Sequence, residues 1–332
     1  MSTQQSTRSW EQWELHRTIT PRNILVLIVA FFLLSWSAHN TEMDRALVET
    51  SQAALSVIGI GESPVLDGAI RFGKQAFPLQ ISERTPVNRL EKFDRDNLPW
   101  LATVEVAEER NYDALTDTWQ VEKAEFLVEP LGYLSRVLLR MWETIEMGFW
   151  GTVISAMIAL PLGILSSRNY TPHKLVYTIA RVWLSFHRAM PELIVALFLV
   201  LMYGFGPIAG VLALAIHTSG VLGKFFADEI ENAPPGPQLA LKASGASAVK
   251  VLRFAVIPHV LPAWIAYVQY IFERNIRTAT VLGIVGAGGI GMELKGRWDL
   301  FDYGHVTTIL LVIFITVVTL EVISQKLRNK TM

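Results

Sequence analysis

Residues 193–223 read LIVALFLVLMYGFGPIAGVLALAIHTSGVLG, a run of 31 residues without a charged side chain. Gly204-Phe205-Gly206-Pro207 interrupts the run near its middle, and Gly and Pro together mark turns rather than helix interiors. A helix needs about 20 apolar residues to cross the roughly 30 Å hydrocarbon core of a bilayer. With flanking residues from about Val182 and to about Phe226, the run predicts two membrane-spanning helices joined by a tight turn.

The other uncharged runs of the chain predict four more spans, which makes about six in total. They lie at Asn23–Thr41, Met147–Ser167, Phe254–Phe272 and Tyr303–Leu320. We expect Pro258 and Pro262 to delay the start of the helix in the third of these runs until Leu261. The first run follows several arginines, as in a secretory signal, but it is long for a signal and no clear cleavage site follows. We therefore expect an uncleaved helix there.

The composition agrees with an integral membrane protein. Hydrophobic residues make up 51% of the chain and charged residues 18%, whereas about a quarter of a soluble domain is charged. The 29 Lys and Arg against 30 Asp and Glu leave a net charge of −1, which excludes an overall basic field for nucleic acid. There is no cysteine, so disulfides, cysteine-based metal sites and cysteine nucleophiles are excluded.

Six spans place both termini on one side, and the basic residues near both ends assign that side to the cytoplasm. The segment between the first two spans, which carries 17 acidic and 11 basic residues from His39 to Arg140, falls outside. Within it, Ala46–Gly59 and Asp113–Leu139 are expected to be helical. The predicted organisation is a cytoplasmic segment 1–22, a first helix 23–41, a periplasmic segment 42–140, a membrane core 141–325 with a cytoplasmic loop 224–262, and a cytoplasmic tail 326–332.

A glycine-rich run resembles a nucleotide-binding motif in outline only. Gly286-Ala287-Gly288-Gly289-Ile290-Gly291 has the spacing of a dinucleotide fingerprint, which requires a strand before it and a helix after it. Here it follows the end of a membrane span. Gly286, Gly288, Gly289 and Gly291 are therefore interpreted as hinge glycines that permit a sharp turn or close helix packing. The chain also lacks a P-loop, a G-x-S-x-G motif and an H-E-x-x-H motif.

Ionisable side chains within the predicted spans are candidates for function, because buried charges are costly and face a bundle interior or an aqueous cavity. Arg188 and Glu192 are spaced i,i+4, as are Glu273 and Arg277, so each pair can meet on one helix face. Each pair either neutralises itself for burial or lines a polar path. Arg274 has no partner at that spacing and is expected to be the freer cation for an oxyanion.

His217 lies alone on an apolar helix, where it is either a hydrogen-bonded packing residue or a proton relay. Together with the charged residues it completes the set of pathway or gate candidates, which are Arg188, Glu192, His217, Glu273, Arg274 and Arg277.

The cytoplasmic segment Gly236–Ser247 (GPQLALKASGAS) precedes Pro258-x-x-x-Pro262 and resembles the coupling loop, or EAA motif, of binding-protein-dependent ABC importer permeases. Ala240, Gly245 and Ala246 match that motif, as do both prolines. Leu239 stands where the family has its glutamate and Leu241 where it has its second alanine. In that family, two short helices of this loop dock into a groove on the ATPase subunit. The resemblance implies an ATPase-coupling role for Ala240, Lys242, Ala243, Gly245, Ala246, Pro258 and Pro262.

Four further segments look like the phosphonate-type permeases, a family that includes carriers of phosphite. They are Arg188–Leu193, Gly206–Leu214, His217–Lys224 and Phe272–Gly291. The resemblance covers about residues 135–330. It implies an all-α integral membrane protein with the type I importer permease fold (MetI-like), about six transmembrane helices, and a long extracytoplasmic segment between the first and second spans.

The resemblance also implies partners. A homodimer of this subunit in the bacterial inner membrane would form the translocation pathway for phosphonate, phosphite or hypophosphite. Two cytoplasmic ATPases would bind ATP and Mg²⁺, and a periplasmic binding protein would deliver the substrate, so this chain would have no catalytic residue, cofactor or metal of its own. The alternative is a secondary transporter or a membrane-embedded enzyme that acts without an ATPase. A secondary transporter would more often show a repeated half, and an enzyme would need a catalytic cluster.

Overall fold

The computed structural model describes residues 21–90, 93–95, 98–99, 101–113 and 118–331, with side chains outside 109–113, 118–122 and 327–331. Most of the segment predicted to be cytoplasmic, 1–22, lies outside the described residues. The chain forms two compact units, with the boundary after Lys74.

The first unit is helical. Helix α1 (Pro21–Asn40) is apolar over most of its length and closely matches the predicted first span at 23–41. Helix α2 (Met43–Val57) confirms the helix predicted at 46–59. Helix α3 (Pro64–Ala76) crosses the boundary between the two units.

The second unit begins with a small antiparallel sheet that the sequence analysis did not predict. Strands β1 (Glu83–Pro86), β2 (Thr103–Asp113) and β3 (Thr118–Glu129) are arranged in the order β1-β3-β2. The helix predicted at Asp113–Leu139 is therefore wrong over its first half. The physical reason is a period of two, in which Trp119 and Val121 alternate with polar residues, and this is a strand pattern. The helix begins only at Gly132.

Nine helices follow in the part of the chain described after β3. They are α4 (Gly132–Leu165), α5 (Lys174–Ala189), α6 (Glu192–Tyr203), α7 (Pro207–Asn232), α8 (Pro235–Ala243), α9 (Ala248–Val251), α10 (Ile257–Ile284), α11 (Gly289–Asp299) and α12 (Tyr303–Thr331). A π-helical turn at Leu252–Val256 joins α9 to α10.

The number of spans agrees with the prediction of about six. Among the described residues, five helical stretches are long and apolar enough to cross a membrane: α1, α4, α7, the stretch Ala248–Asp299 that contains α10, and α12. Helices α5 and α6 pass the same test only as a pair, and they are bent by 87° at Met190-Pro191. The third predicted span is thus a broken helix.

Helix α10 begins at Ile257, four residues before the predicted start at Leu261. Pro258 lies in its first turn, directly after the π-helical turn Leu252–Val256. Pro262 lies inside the helix, directly after the π-helical turn has altered the hydrogen-bond pattern.

Glycines allow α4 to pack closely against its neighbours. A Cβ atom built at Gly151 would lie 2.8 Å from Cβ of Leu214 on α7, and one at Gly148 would lie 2.7 Å from Cγ1 of Ile276 on α10. Small residues at such positions allow membrane helices to approach closely. Helix α4 runs from one end of the second unit to the other. We call the end that contains Tyr133, Arg297 and His305 the far end, and the end that contains residues 166–173 and 233–256 the coupling end.

Candidate functional site

The break between α5 and α6 is held by a histidine of α7. Pro191 disfavours the helical conformation of the residue before it, and Met190 is extended, with ψ 121°. The carbonyl oxygen of Met190 accepts a hydrogen bond from Nδ1 of His217 at 2.9 Å. His217 is buried, so it satisfies a backbone group that the broken helix leaves without a helical partner.

Glu192, His217 and Arg274 form a polar triad at this break. Nη2 of Arg274 lies 3.3 Å from Oε1 of Glu192 and 3.3 Å from Nε2 of His217, while Oε2 of Glu192 lies 3.4 Å from the same Nε2. Because the Met190 carbonyl only accepts, Nδ1 of His217 carries the proton of that hydrogen bond, and Nε2 faces both the guanidinium of Arg274 and the carboxylate of Glu192. The triad thereby joins α6, α7 and α10.

Two expectations about these charges are wrong. Arg188 does not meet Glu192 on one helix face, because the break separates them; Arg188 is exposed at the end of α5. Arg274 is not the freer cation, because it contacts Glu192 and His217. Its removal should therefore lower stability, since it would leave a partly buried carboxylate uncompensated. The pairing of Glu273 with Arg277 is confirmed, with 3.1 Å between Oε1 and Nη2.

The glycine run forms a sharp turn between α10 and α11. Gly286, Gly288 and Gly289 have φ angles of 92°, 85° and 69°, a region that residues with a side chain rarely adopt. A helix precedes the run, so the strand that a dinucleotide site requires is not there. Motion about these glycines remains a prediction.

The start of α11 is fixed against α4. The amide of Ile290 donates to Oγ1 of Thr144 at 2.8 Å, and the amide of Gly289 donates to Oε1 of Glu143 at 3.2 Å. A Cβ atom built at Gly291 would overlap the carbonyl oxygen of Thr280 on α10. Close packing of α10 and α11 therefore depends on Gly291.

We predict that Gly291→Ala lowers the free energy of unfolding by about 1–3 kcal/mol, because the added methyl group overpacks a backbone contact. Gly296→Ala on the same helix is the matched control, since a Cβ atom at Gly296 would meet nothing within 4 Å. Thermal unfolding of the two purified variants in detergent measures the difference. Equal melting temperatures would show that the contact at Gly291 is dispensable.

The coupling-loop residues lie at the surface of the coupling end. Helices α8 and α9 are joined through Gly245, whose φ angle is 82°. Leu239 is 62% exposed. The residues assigned by resemblance are all exposed except Ala246, which is half-buried; the exposed ones are Ala240, Lys242, Ala243, Gly245, Pro258 and Pro262. Among the described residues, this face of α8 is therefore largely exposed.

A hydrogen bond between Tyr170 and Gln238 fixes α8 to the rest of the unit, and no local pattern in the sequence indicates it. The hydroxyl of Tyr170 donates to Oε1 of Gln238 at 2.8 Å, and Nε2 of the buried Gln238 donates to the carbonyls of Ala233 and Pro234 at 3.0 and 3.1 Å. Burial raises the pKa of the Tyr170 hydroxyl, so it remains a donor. The Tyr170 contact thereby fixes the position of α8 relative to the turn between α4 and α5.

We predict that Tyr170→Phe loosens α8, because the amide oxygen of Gln238 loses its donor at a cost of about 1 kcal/mol. Backbone amides of α8 should then exchange with deuterium about fivefold faster. The control is Tyr203→Phe, which alters an exposed tyrosine at the end of α6. Unchanged exchange in α8 would mean that the Tyr170 contact does not position it.

Polar residues are also buried between α4 and α10. Nδ2 of Asn275, a residue only 1% exposed, donates to Oγ1 of Thr152 at 2.9 Å.

Within the described residues, no group of three His, Asp or Glu side chains is placed to hold a metal ion.

Residues 159–329 match the family described as binding-protein-dependent transport system inner membrane component. The chain belongs to this family. Residues 159–329 contain the broken span, the triad, the glycine turn and the coupling loop, so these features lie in the family's own part of the permease.

Several curated permeases are similar to this one. HtxE of Stutzerimonas stutzeri, named for phosphite transport, is 47% identical over 258 residues, which cover 76% of this chain and 99% of HtxE. The phosphite transport system permease protein PtxC of the same species is 42% identical over 56% of this chain and 68% of its own length. The phosphate-import permease protein PhnE of Mycolicibacterium smegmatis is 40% identical over 59% of this chain and 37% of its own.

Solved structures confirm the type I importer permease fold. A chain of the MetNI methionine ABC transporter in an inward-facing conformation is similar with a TM-score of 0.53, at 18% identity, over 59% of this permease and 96% of that chain. A chain of an amino acid ABC transporter is similar with a TM-score of 0.52 and 16% identity, and the match covers 60% of this permease and 95% of that chain. At these identities the likeness concerns the fold alone.

Proposed function

We propose that this permease forms the translocation pathway of an ATP-driven importer for phosphite, phosphonate or a related phosphorus oxyanion. The observation that carries the proposal is the similarity to HtxE over 99% of that protein's length, since HtxE is named for phosphite transport. Two arginines beside a break in a membrane helix suit an anionic substrate, because a guanidinium presents a planar fork to phosphoryl oxygens.

The same proposal includes the assembly. Two ATP-binding subunits dock on the exposed face of α8 and α9, a second copy of this permease completes the pathway, and a periplasmic binding protein delivers the substrate. Both termini then lie in the cytoplasm and segment 42–140 lies in the periplasm. ATP and Mg²⁺ are bound by the partner ATPase, and this chain performs no hydrolysis itself. Family membership supports the ATPase and the binding protein as partners.

The experiment that tests this function is uptake by the reconstituted complex. Proteoliposomes containing the permease and its ATPase, with the binding protein and phosphite outside and ATP inside, should accumulate phosphite. The uptake of methylphosphonate and of hypophosphite, measured in parallel with that of phosphite, shows which oxyanion is preferred. Accumulation without ATP or without the ATPase subunit would instead indicate a secondary transporter.

Coupling to the ATPase gives a sharper prediction. Leu239→Arg places a bulky charge on the face proposed to dock, so substrate-stimulated ATP hydrolysis should fall at least about tenfold, which corresponds to about 1.4 kcal/mol. The melting temperature should not change, because Leu239 is exposed. Leu300→Arg is the matched control, since Leu300 is 72% exposed and follows α11 near the far end. Equal ATP hydrolysis by both variants would contradict docking on α8.

A further inference from the structure

A cavity opens beside the broken span. Its volume is about 380 Å³, and it lies between the start of α6, with Pro191, Glu192 and Leu193, and the face of α10 that carries Arg277 and Thr278. One carboxylate and one guanidinium thus line the same cavity. The guanidinium of Arg274 is not part of the cavity wall, but its Nη2 lies 3.3 Å from Oε1 of Glu192, which is part of it.

Arg277 is available to a ligand. Its side chain is 45% exposed, and its partner Glu273 lies on the same helix, four residues earlier. Because the guanidinium of Arg277 stays 45% exposed while it contacts Glu273, a ligand oxygen can bind its other N–H groups without replacing Glu273.

The contacts of Glu192 within the triad are long. The distances from its two carboxylate oxygens to Arg274 and His217 are 3.3 and 3.4 Å, whereas strong charge-assisted hydrogen bonds measure about 2.7–2.9 Å. The carboxylate therefore neutralises Arg274 without holding it tightly. A tetrahedral oxyanion offers three or more oxygens, and guanidinium groups bind such oxygens in pairs.

We infer that Glu192 is a tethered anion that occupies Arg274 when the pathway is empty, and that the transported oxyanion binds in this cavity at Arg277 and takes the place of the Glu192 carboxylate at Arg274. The inference rests on the proposed function. It explains why a carboxylate accompanies the arginines of an anion pathway, because without it the empty state would leave Arg274 partly buried and uncompensated.

Exchange at Glu192 also bears on movement. Glu192 is the first residue of α6, and its contacts to Arg274 and His217 join α6 to α10 and α7 at the break. When an oxyanion takes over Arg274, the link between α6 and α10 opens, so binding loosens the break at which the span bends.

The first test measures protection of the cavity. The chain has no native cysteine, so Thr278→Cys supplies a single thiol that lines this cavity. Phosphite or methylphosphonate, added to the complete complex without binding protein, should slow its modification by a small thiol reagent at least fivefold. The control is Leu212→Cys, which lines a separate cavity of about 330 Å³ between α4 and α7 with mostly apolar walls. Its modification rate should not change.

The second test measures the exchange. Glu192→Gln removes the competing charge and keeps the shape, so combined with Thr278→Cys it should lower the phosphite concentration for half protection about tenfold. Arg277→Gln in the same background should raise that concentration about tenfold or more. Glu192→Asp, which shortens the carboxylate and retains its charge, should also lower the concentration and serves if Glu192→Gln does not fold.

The outcomes separate the inference from the proposed function. If no oxyanion protects the Thr278→Cys protein while the intact system accumulates phosphite, the site is wrong and the function stands. Weaker protection in Glu192→Gln would overturn the exchange, because Glu192 would then help to hold the ligand. Protection by sulfate but by neither phosphorus oxyanion would support the anion site and contradict the proposed substrate class.

Discussion

The carbonyl of Met190 and the carboxylate of Glu192 lie at the break between α5 and α6, among membrane helices. Both must be satisfied by the protein itself, because unsatisfied backbone groups and charges are costly in a membrane. His217 on α7 satisfies the carbonyl, and Arg274 on α10 compensates the carboxylate. The bend of 87° between α5 and α6 therefore depends on side chains from two other helices.

The two helices that hold the break also reach the coupling end. Helix α7 ends at Asn232, six residues before Gln238, and α10 begins at Ile257, directly after the π-helical turn. Near the end of α7, Glu231 accepts hydrogen bonds at 2.8 Å from the side chain of Arg181 and from the backbone amide of Arg168. These hydrogen bonds join α7 to the turn after α4. A displacement of α8 and α9 would therefore act on α7 and α10, the two helices that carry His217 and Arg274.

The sequence predicted the parts of this permease that depend on composition and local spacing. Uncharged runs located the spans, and glycine and proline located the turns around Gly245 and Gly286. The pairing of Glu273 with Arg277 followed from a spacing within one continuous helix. These features require no knowledge of how distant segments pack.

The sequence did not predict the features that depend on tertiary contact. The spacing of Arg188 and Glu192 indicated a pair, but Pro191 breaks the helix between them, and a proline at that position disfavours a continuous helix. Glu192 lies 82 residues from Arg274 in the sequence, and Tyr170 lies 68 residues from Gln238, so no local pattern indicates either contact. The sheet was missed because charged residues between Asp113 and Leu139 concealed a short alternation.

The measurement that tests the central claim most directly is a double-mutant cycle between Glu192 and Arg274. Unfolding of the wild type, Glu192→Gln, Arg274→Gln and the double variant should give a coupling free energy of about 1–3 kcal/mol, because each single change strands the other charge. The same cycle between Glu192 and Arg188, the pair that the sequence spacing suggested, should give a value near zero. A negligible coupling between Glu192 and Arg274 would contradict the claim that their contact holds the broken span.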